Sequence, residues 1–97
     1  MFGTPGTVYT TADLALISSG KPVRVFLIHE IYEGSSTGSV LRNGTSASGT
    51  IYVSLKSIDS QGVTTDLGAN GMLFPNGCFY DEGTAVTSAT IVAQLEN

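Results

Sequence analysis

The chain has 97 residues, a formal net charge of −4, and four Lys or Arg residues against eight Asp or Glu. This acidic balance argues against nucleic acid as a partner, because phosphate neutralisation needs a clustered basic face. No apolar run approaches the roughly 18 residues of a membrane span, so no membrane partner is expected, and a single cysteine, Cys78, excludes a disulfide within the chain.

The first 20 residues are predicted to form an N-terminal arm or a first strand. TVYTT is rich in β-formers, and ADLALISSG fits either a strand or a short helix capped at Thr11. We favour the strand because strand and turn patterns fill the rest of the chain. Residues 21–97 are then expected to form a single β-sandwich domain.

The strongest strand pattern is KPVRVFLIHEIYE, in which Pro22 can only open the strand. Alternation divides its residues between two faces, and both faces are partly apolar. This indicates a central strand that is covered on both sides. One face is predicted to carry Val23, Val25, Leu27, His29 and Ile31, and the other Arg24, Phe26, Ile28, Glu30 and Tyr32.

The next strands are separated by turn residues. SVLR runs into Asn43-Gly44, a strong hairpin signal because both residues tolerate positive φ. The Ser-rich stretch after it makes this connection longer than a two-residue turn. GTIYVSLKSI then alternates, which predicts that Ile51, Val53 and Leu55 face inward.

The segment MLFPNGCFYDE fits either two short strands or one strand broken by a bulge. VTTDLG before it is a short strand, and TSATIVAQLE after it is a strand with Ala89, Ile91, Ala93 and Leu95 on one face. Turn signals thus recur about every 8 to 12 residues. The spacing predicts an all-β fold, a compact antiparallel β-sandwich or jelly-roll-like domain of seven to eight strands.

Candidate catalytic and metal-binding groups are few. His29 is the only imidazole, and a nucleophile pair would require it to meet Cys78; a cross-strand histidine and a buried cysteine are the favoured interpretation. Oxygen ligands for calcium are available, but without a calcium-loop spacing, in Glu30, Glu33, Asp81 and Glu82. We expect no enzymatic activity, no metal and no cofactor.

Four tyrosines offer a binding surface: Tyr9, Tyr32, Tyr52 and Tyr80. Exposed tyrosines serve both sugar binding and protein interfaces, and the absence of tryptophan favours the interface. Asn43-Gly44-Thr45 also matches a glycosylation acceptor, which has meaning only in a secreted eukaryotic chain. The turn interpretation is favoured there.

Three stretches carry a resemblance to a known class: PVRVFLIHEI, VLRNGTSASGTIYVSL and GANGMLFPNGCFYDEGTAVTSATI. Together they resemble small tailed-bacteriophage virion structural proteins, across about residues 22 to 95. The resemblance implies a small β-sandwich component of the virion, with capsid decoration (cement) proteins as the nearest functional class.

The resemblance leads to a functional expectation. The chain is predicted to bind the major capsid protein on the outer head surface, to stabilise the shell by bridging subunits, and to form a homo-oligomer, with a trimer favoured. The alternative is a tail, fibre or spike component that binds a glycan or host surface through Tyr32, Tyr52 or Tyr80.

Two groups of residues are predicted to form the interface. The N-terminal arm contributes Phe2, Val8 and Tyr9, which would reach a neighbouring subunit by strand-edge pairing. The second group lies at the Asn-Gly turns, where one of the few cations of the chain stands beside a predicted sandwich corner. It consists of Arg42, Asn43 and Asn76.

Overall fold

A computed structural model describes the backbone of residues 6–10 and 14–15 and all of residues 21–95, and in this part of the chain every regular element is a strand. Seven of the nine strands have four residues or more, and the other two are shorter. None of the described residues belongs to a helix that could cross a membrane. The strands are β1 (Gly6–Thr10), β2 (Leu14–Ala15), β3 (Val23–Tyr32), β4 (Val40–Asn43), β5 (Thr50–Ser54), β6 (Gly62–Asp66), β7 (Met72–Phe74), β8 (Cys78–Asp81) and β9 (Val86–Leu95).

The strands form two sheets, and every pairing between them is antiparallel. In the first sheet the order is β1-β9-β3-β6, with β7 also pairing with β3. In the second it is β2-β8-β4-β5. This arrangement confirms the predicted all-β antiparallel sandwich. The N-terminal segment supplies β1, which pairs with β9, and β2, which pairs with β8; the rest of residues 1–20 lies outside the described residues.

The core lies between the sheets and takes side chains from both. β3 and β9 contribute Val25 and Ile91, β4 contributes Leu41, and β7 contributes Phe74, all fully buried. Each such side chain contributes about 1.5–3 kcal/mol relative to leaving it exposed. On β9, burial of Ala89 and Ile91 confirms the face that alternation predicts.

The predicted faces of β3 are right up to Val25 and wrong from Leu27 onward. A register shift in the pairing with β9 falls between Val25 and Leu27, so Phe26 is an extra residue that reverses the alternation. The strand is therefore inward at odd positions before this bulge and at even positions after it. Its buried residues are Val23, Val25, Ile28, Glu30 and Tyr32.

A similar shift overturns one position of β5. In its pairing with β4, Leu41 lies opposite Val53 and Arg42 lies opposite Ile51. Tyr52 is therefore an extra residue without a partner on β4. Ile51 consequently lies on the outer side, 48% exposed, instead of inward. Val53 packs against the core and Leu55 is buried, as predicted.

The segment MLFPNGCFYDE forms two short strands that belong to different sheets. β7 pairs with β3 in the first sheet, and β8 pairs with β4 in the second. The Pro75-Asn76-Gly77 turn carries the chain from one sheet to the other. Gly77 has a φ of 98°, a left-handed conformation that glycine adopts without steric cost.

Candidate docking corner

Two chain reversals meet at one end of the sandwich. The backbone N–H of Asn76 donates to the side-chain oxygen of Asn43 at 2.9 Å, and the N–H of Gly44 donates to the carbonyl of Gly77 at 2.9 Å. These bonds join the β4–β5 loop to the turn between the two sheets. We call Arg42, Asn43, Gly44, Asn76 and Gly77 the docking corner.

Arg42 lies in the docking corner but is not a free charge. Its Nε donates to Asp81 at 2.9 Å and its Nη1 donates to the carbonyl of Gly49 at 3.0 Å. The side chains of the ion pair are 21% and 25% exposed. Arg42 therefore connects the β4–β5 loop to Asp81 on β8, which holds the corner in place. The carboxylate of Asp81 largely offsets the charge of Arg42.

The Asn43-Gly44 pair belongs to a hairpin, which confirms the turn interpretation. β4 ends at Asn43 and β5 begins at Thr50, so the connection is longer than a two-residue turn, as expected. A side chain at Gly49 would collide with the carbonyl of Asn43. Glycine is therefore required where the loop folds back on itself.

The predicted arm residues are not brought to this corner. Val8 and Tyr9 lie in the middle of β1, where they pair with Ile91 and Thr90 of the same chain, at the edge of the first sheet. The corner is built on β4 of the second sheet. Phe2 lies outside the described residues.

A buried polar cluster lies between the sheets, and sequence reasoning missed it. Glu30 is 1% exposed and receives two hydroxyl donors, Tyr32 at 2.8 Å and Tyr80 at 2.7 Å. The oxygen of Tyr80 is 3.2 Å from the hydroxyl of Ser39, which also accepts the N–H of Gly83 at 2.8 Å. We call Glu30, Tyr32, Tyr80 and Ser39 the tyrosine cluster.

The tyrosine cluster ties the two sheets together. Glu30 and Tyr32 come from β3, and Tyr80 comes from β8. Burial, together with the Glu30 carboxyl that it contacts, raises the pKa of Tyr32 to about 12. Burial is also the main cause of the raised pKa of Tyr80. Both hydroxyls thus stay protonated and donate over the whole neutral range.

The loops beside the tyrosine cluster are closed by side-chain to backbone bonds. Thr37 and Thr84 each donate a backbone N–H to the hydroxyl of the other, both at 2.9 Å. Asp59 accepts from the N–H and the hydroxyl of Ser36 at 2.9 and 3.0 Å. These two bonds lower the pKa of Asp59. These bonds tie the loop between β3 and β4 to the β8–β9 loop and to the β5–β6 loop.

One sequence signal could have located the tyrosine cluster. Glu30 sits inside a strongly apolar central strand, and a carboxyl group there is buried only when its oxygens find donors. Alternation placed Glu30 and Tyr32 on one face, and the bulge at Phe26 turns that face inward. Their partners carried no such signal, since Ser39 lies in the loop before β4 and Tyr80 lies on β8.

The structure does not assemble a nucleophile pair. Cys78 is fully buried on β8 in the second sheet, which confirms the buried thiol. His29 belongs to β3 in the first sheet, where its Nδ1 lies 2.7 Å from the Thr64 hydroxyl. Burial raises the pKa of Cys78 to about 12, so the thiolate that a nucleophile needs is disfavoured.

The acidic candidates do not form a metal site. Glu30 is occupied by the two tyrosine hydroxyls, and Asp81 is paired with Arg42. Among the described residues no group of three or more His, Cys, Asp or Glu side chains could hold an ion.

In the part of the chain whose side chains are described, the three tyrosines predicted for glycan contact do not form an exposed binding face. Tyr32 and Tyr80, proposed for glycan contact, are 1% and 0% exposed, which contradicts that role because their rings lie in the core. Tyr52 is 40% exposed, and its ring centroid lies 5.3 Å from that of the buried Phe74. It is the one predicted glycan contact of the three that a ligand could reach.

Comparison of the chain with protein families, with curated proteins and with solved structures finds no match.

Proposed function

We propose that this protein is a non-enzymatic decoration protein of a tailed-phage virion that binds the major capsid protein on the outer head surface. The observation that carries the proposal is the motif resemblance across about residues 22 to 95. The fold is compatible with this role, because a small antiparallel sandwich with interlocked loops presents a pre-organised surface. A trimeric assembly stays a prediction.

The docking corner is the part of the surface that we assign to capsid contact. Its turns are fixed by hydrogen bonds before any partner arrives, so little conformational entropy is lost on binding. The side chain of Asn76 is exposed, while its backbone N–H holds the corner together. Asn76 can therefore offer its amide to a partner without loosening the fold.

Binding of this kind would stabilise the shell by mass action. A protein that binds the assembled shell and not its dissociated subunits shifts the equilibrium by RT ln(1 + [L]/Kd) for each site. At a free concentration of this protein a hundred times Kd, binding would stabilise the shell by about 2.7 kcal/mol per site. The mechanism requires contact surfaces only, and no catalytic group.

The test is a binding assay with purified heads that lack this protein. Wild-type chain should bind them and raise their disruption temperature. Asn76→Lys should weaken binding at least tenfold, because it changes an exposed side chain in the docking corner. Asn70→Lys is the matched control, since Asn70 is an exposed residue in another Asn-Gly turn, and it should bind as the wild type does.

Failure of the wild-type chain to bind heads would overturn the proposal, and binding to host polysaccharide instead would favour the tail or fibre function. Equal head binding by the Asn76 and Asn70 variants would overturn the assignment of the contact to the docking corner.

A further inference from the structure

Among the described strands, β5 lies at the edge of the second sheet. In the described part of the chain it pairs with β4 alone. The N–H of Leu55, directly after the strand, donates to the carbonyl of Ser39 on the β4 side at 2.8 Å. Since successive residues direct their backbone groups to opposite sides, the N–H and carbonyl of Ser54 face the open side.

This edge lacks the charged residues and proline that protect many exposed strands. Natural proteins commonly place charges or proline on an open edge to prevent pairing with another chain. From Asn43 to Leu55 there is no charged residue and no proline. Two large side chains are partly exposed there, Ile51 at 48% and Tyr52 at 40%.

We propose that β5 is a self-association site, at which the β5 strands of two copies pair antiparallel about a two-fold axis. The pairing would join the four-stranded sheets of the two copies into one continuous sheet. Because the same patch serves both copies, the contact closes at a dimer. The inference concerns the isolated protein and does not depend on the proposed capsid role.

Charge and residue type favour a second copy as the occupant. We consider antiparallel pairings whose two-fold axis passes through β5 at any point between Thr50 and Ser54. In each of them, Lys56 of one copy lies opposite a residue between Gly44 and Tyr52 of the other, and all residues in that range are uncharged. Like charges directly opposite each other, which destabilise strand pairs, are thus avoided. The strand TIYVS also consists of hydroxyl, β-branched and aromatic residues, the types that favour cross-strand pairing.

The bulge in β5 sets the expected strength. An extra residue at Tyr52 increases the local twist and shortens the run over which a second strand can pair regularly. A short strand contact buries less than the roughly 1,200 Å² of a standard stable interface. We therefore expect a weak dimer that dissociates on dilution into the low micromolar range.

The test is sedimentation velocity and amide hydrogen exchange on the full chain over a range of concentrations. With increasing protein concentration, the weight-average mass of the wild type should rise towards twice the monomer mass. Hydrogen exchange at the Ser54 amide should slow over the same concentration range. Ser54→Lys, which puts a charge on the open edge, should shift self-association to at least tenfold higher concentration.

Gln61→Lys is the matched control, because it makes the same charge change at an exposed position next to the first sheet. It should associate as the wild type does. The proposal is overturned if the wild type stays monomeric at every concentration, or if the two lysine variants associate equally. A trimer whose assembly is unaffected by Ser54→Lys would overturn it as well.

Discussion

Removing the Tyr80 hydroxyl tests the tyrosine cluster directly. Tyr80→Phe deletes one oxygen atom and keeps the buried ring. The hydroxyl donates to Glu30 at 2.7 Å and lies 3.2 Å from the Ser39 hydroxyl, with all three residues buried. Its loss leaves one oxygen of Glu30 without this donor in a place that water does not reach.

The expected cost follows from the burial. A buried acceptor left without its hydrogen-bond donor costs about 1–3 kcal/mol. We expect Tyr80→Phe to lower the free energy of unfolding by about 2 kcal/mol. At 4–8 °C per kcal/mol for a domain of this size, the Tm should fall by roughly 8–16 °C.

The assay is thermal and urea unfolding, with Tyr52→Phe as the control. That substitution removes the same atom from a tyrosine whose ring is 40% exposed, and it should change stability by less than about 0.5 kcal/mol. In a double-mutant cycle with Glu30→Gln, the coupling to Tyr80→Phe should be about 1 kcal/mol or more. If Tyr80→Phe and Tyr52→Phe have equal effects, the cluster is not the structural tie described above.

Three further outcomes are expected. First, the free energy of unfolding should fall as pH rises above about 9 to 10. Burial raises the pKa of Cys78 and Tyr32 to about 12, so the unfolded chain loses these protons at a lower pH than the folded chain does. A free energy of unfolding that stays constant up to about pH 11 would contradict this prediction. Second, Cys78 in the folded protein should react with a disulfide reagent only as fast as the protein unfolds. The measurement is the rate of thiol reaction with and without denaturant, and fast reaction under native conditions would show an accessible thiol. Third, Gly83→Ala should destabilise by about 3 kcal/mol in urea unfolding, because its Cβ would collide with a backbone carbonyl of the neighbouring loop. Gly68→Ala, at a positive φ but in open space, should cost about 1 kcal/mol, and equal costs would refute the collision.

The docking corner was partly predictable because its turn residues are local signals. Asn43 and Asn76 each precede a glycine at a chain reversal, and in each pair the glycine alone has a positive φ. The Asn-Gly signal therefore located the two reversals without giving their turn type. Their direct contact was not predictable, since they are 33 positions apart. The partner of Arg42 was likewise hidden, because Asp81 lies on a strand that comes much later in the chain.

The amino-acid sequence by itself determined the class of fold. Low charge, many Ser, Thr and Gly residues and regular turn signals leave strands as the repeating element, and alternation locates most of them. The physical reason is that strand alternation and turn conformations depend on neighbouring residues. These signals are readable without knowledge of the rest of the chain.

Only the tertiary structure decided which side chains of each strand face inward and which residues form the core. The bulges at Phe26 and Tyr52 arise where one strand must fit another, and each reverses which side chains face inward. Glu30 finds its donor Tyr80 across 50 positions of sequence. Such contacts depend on how the two sheets pack, which no local pattern specifies.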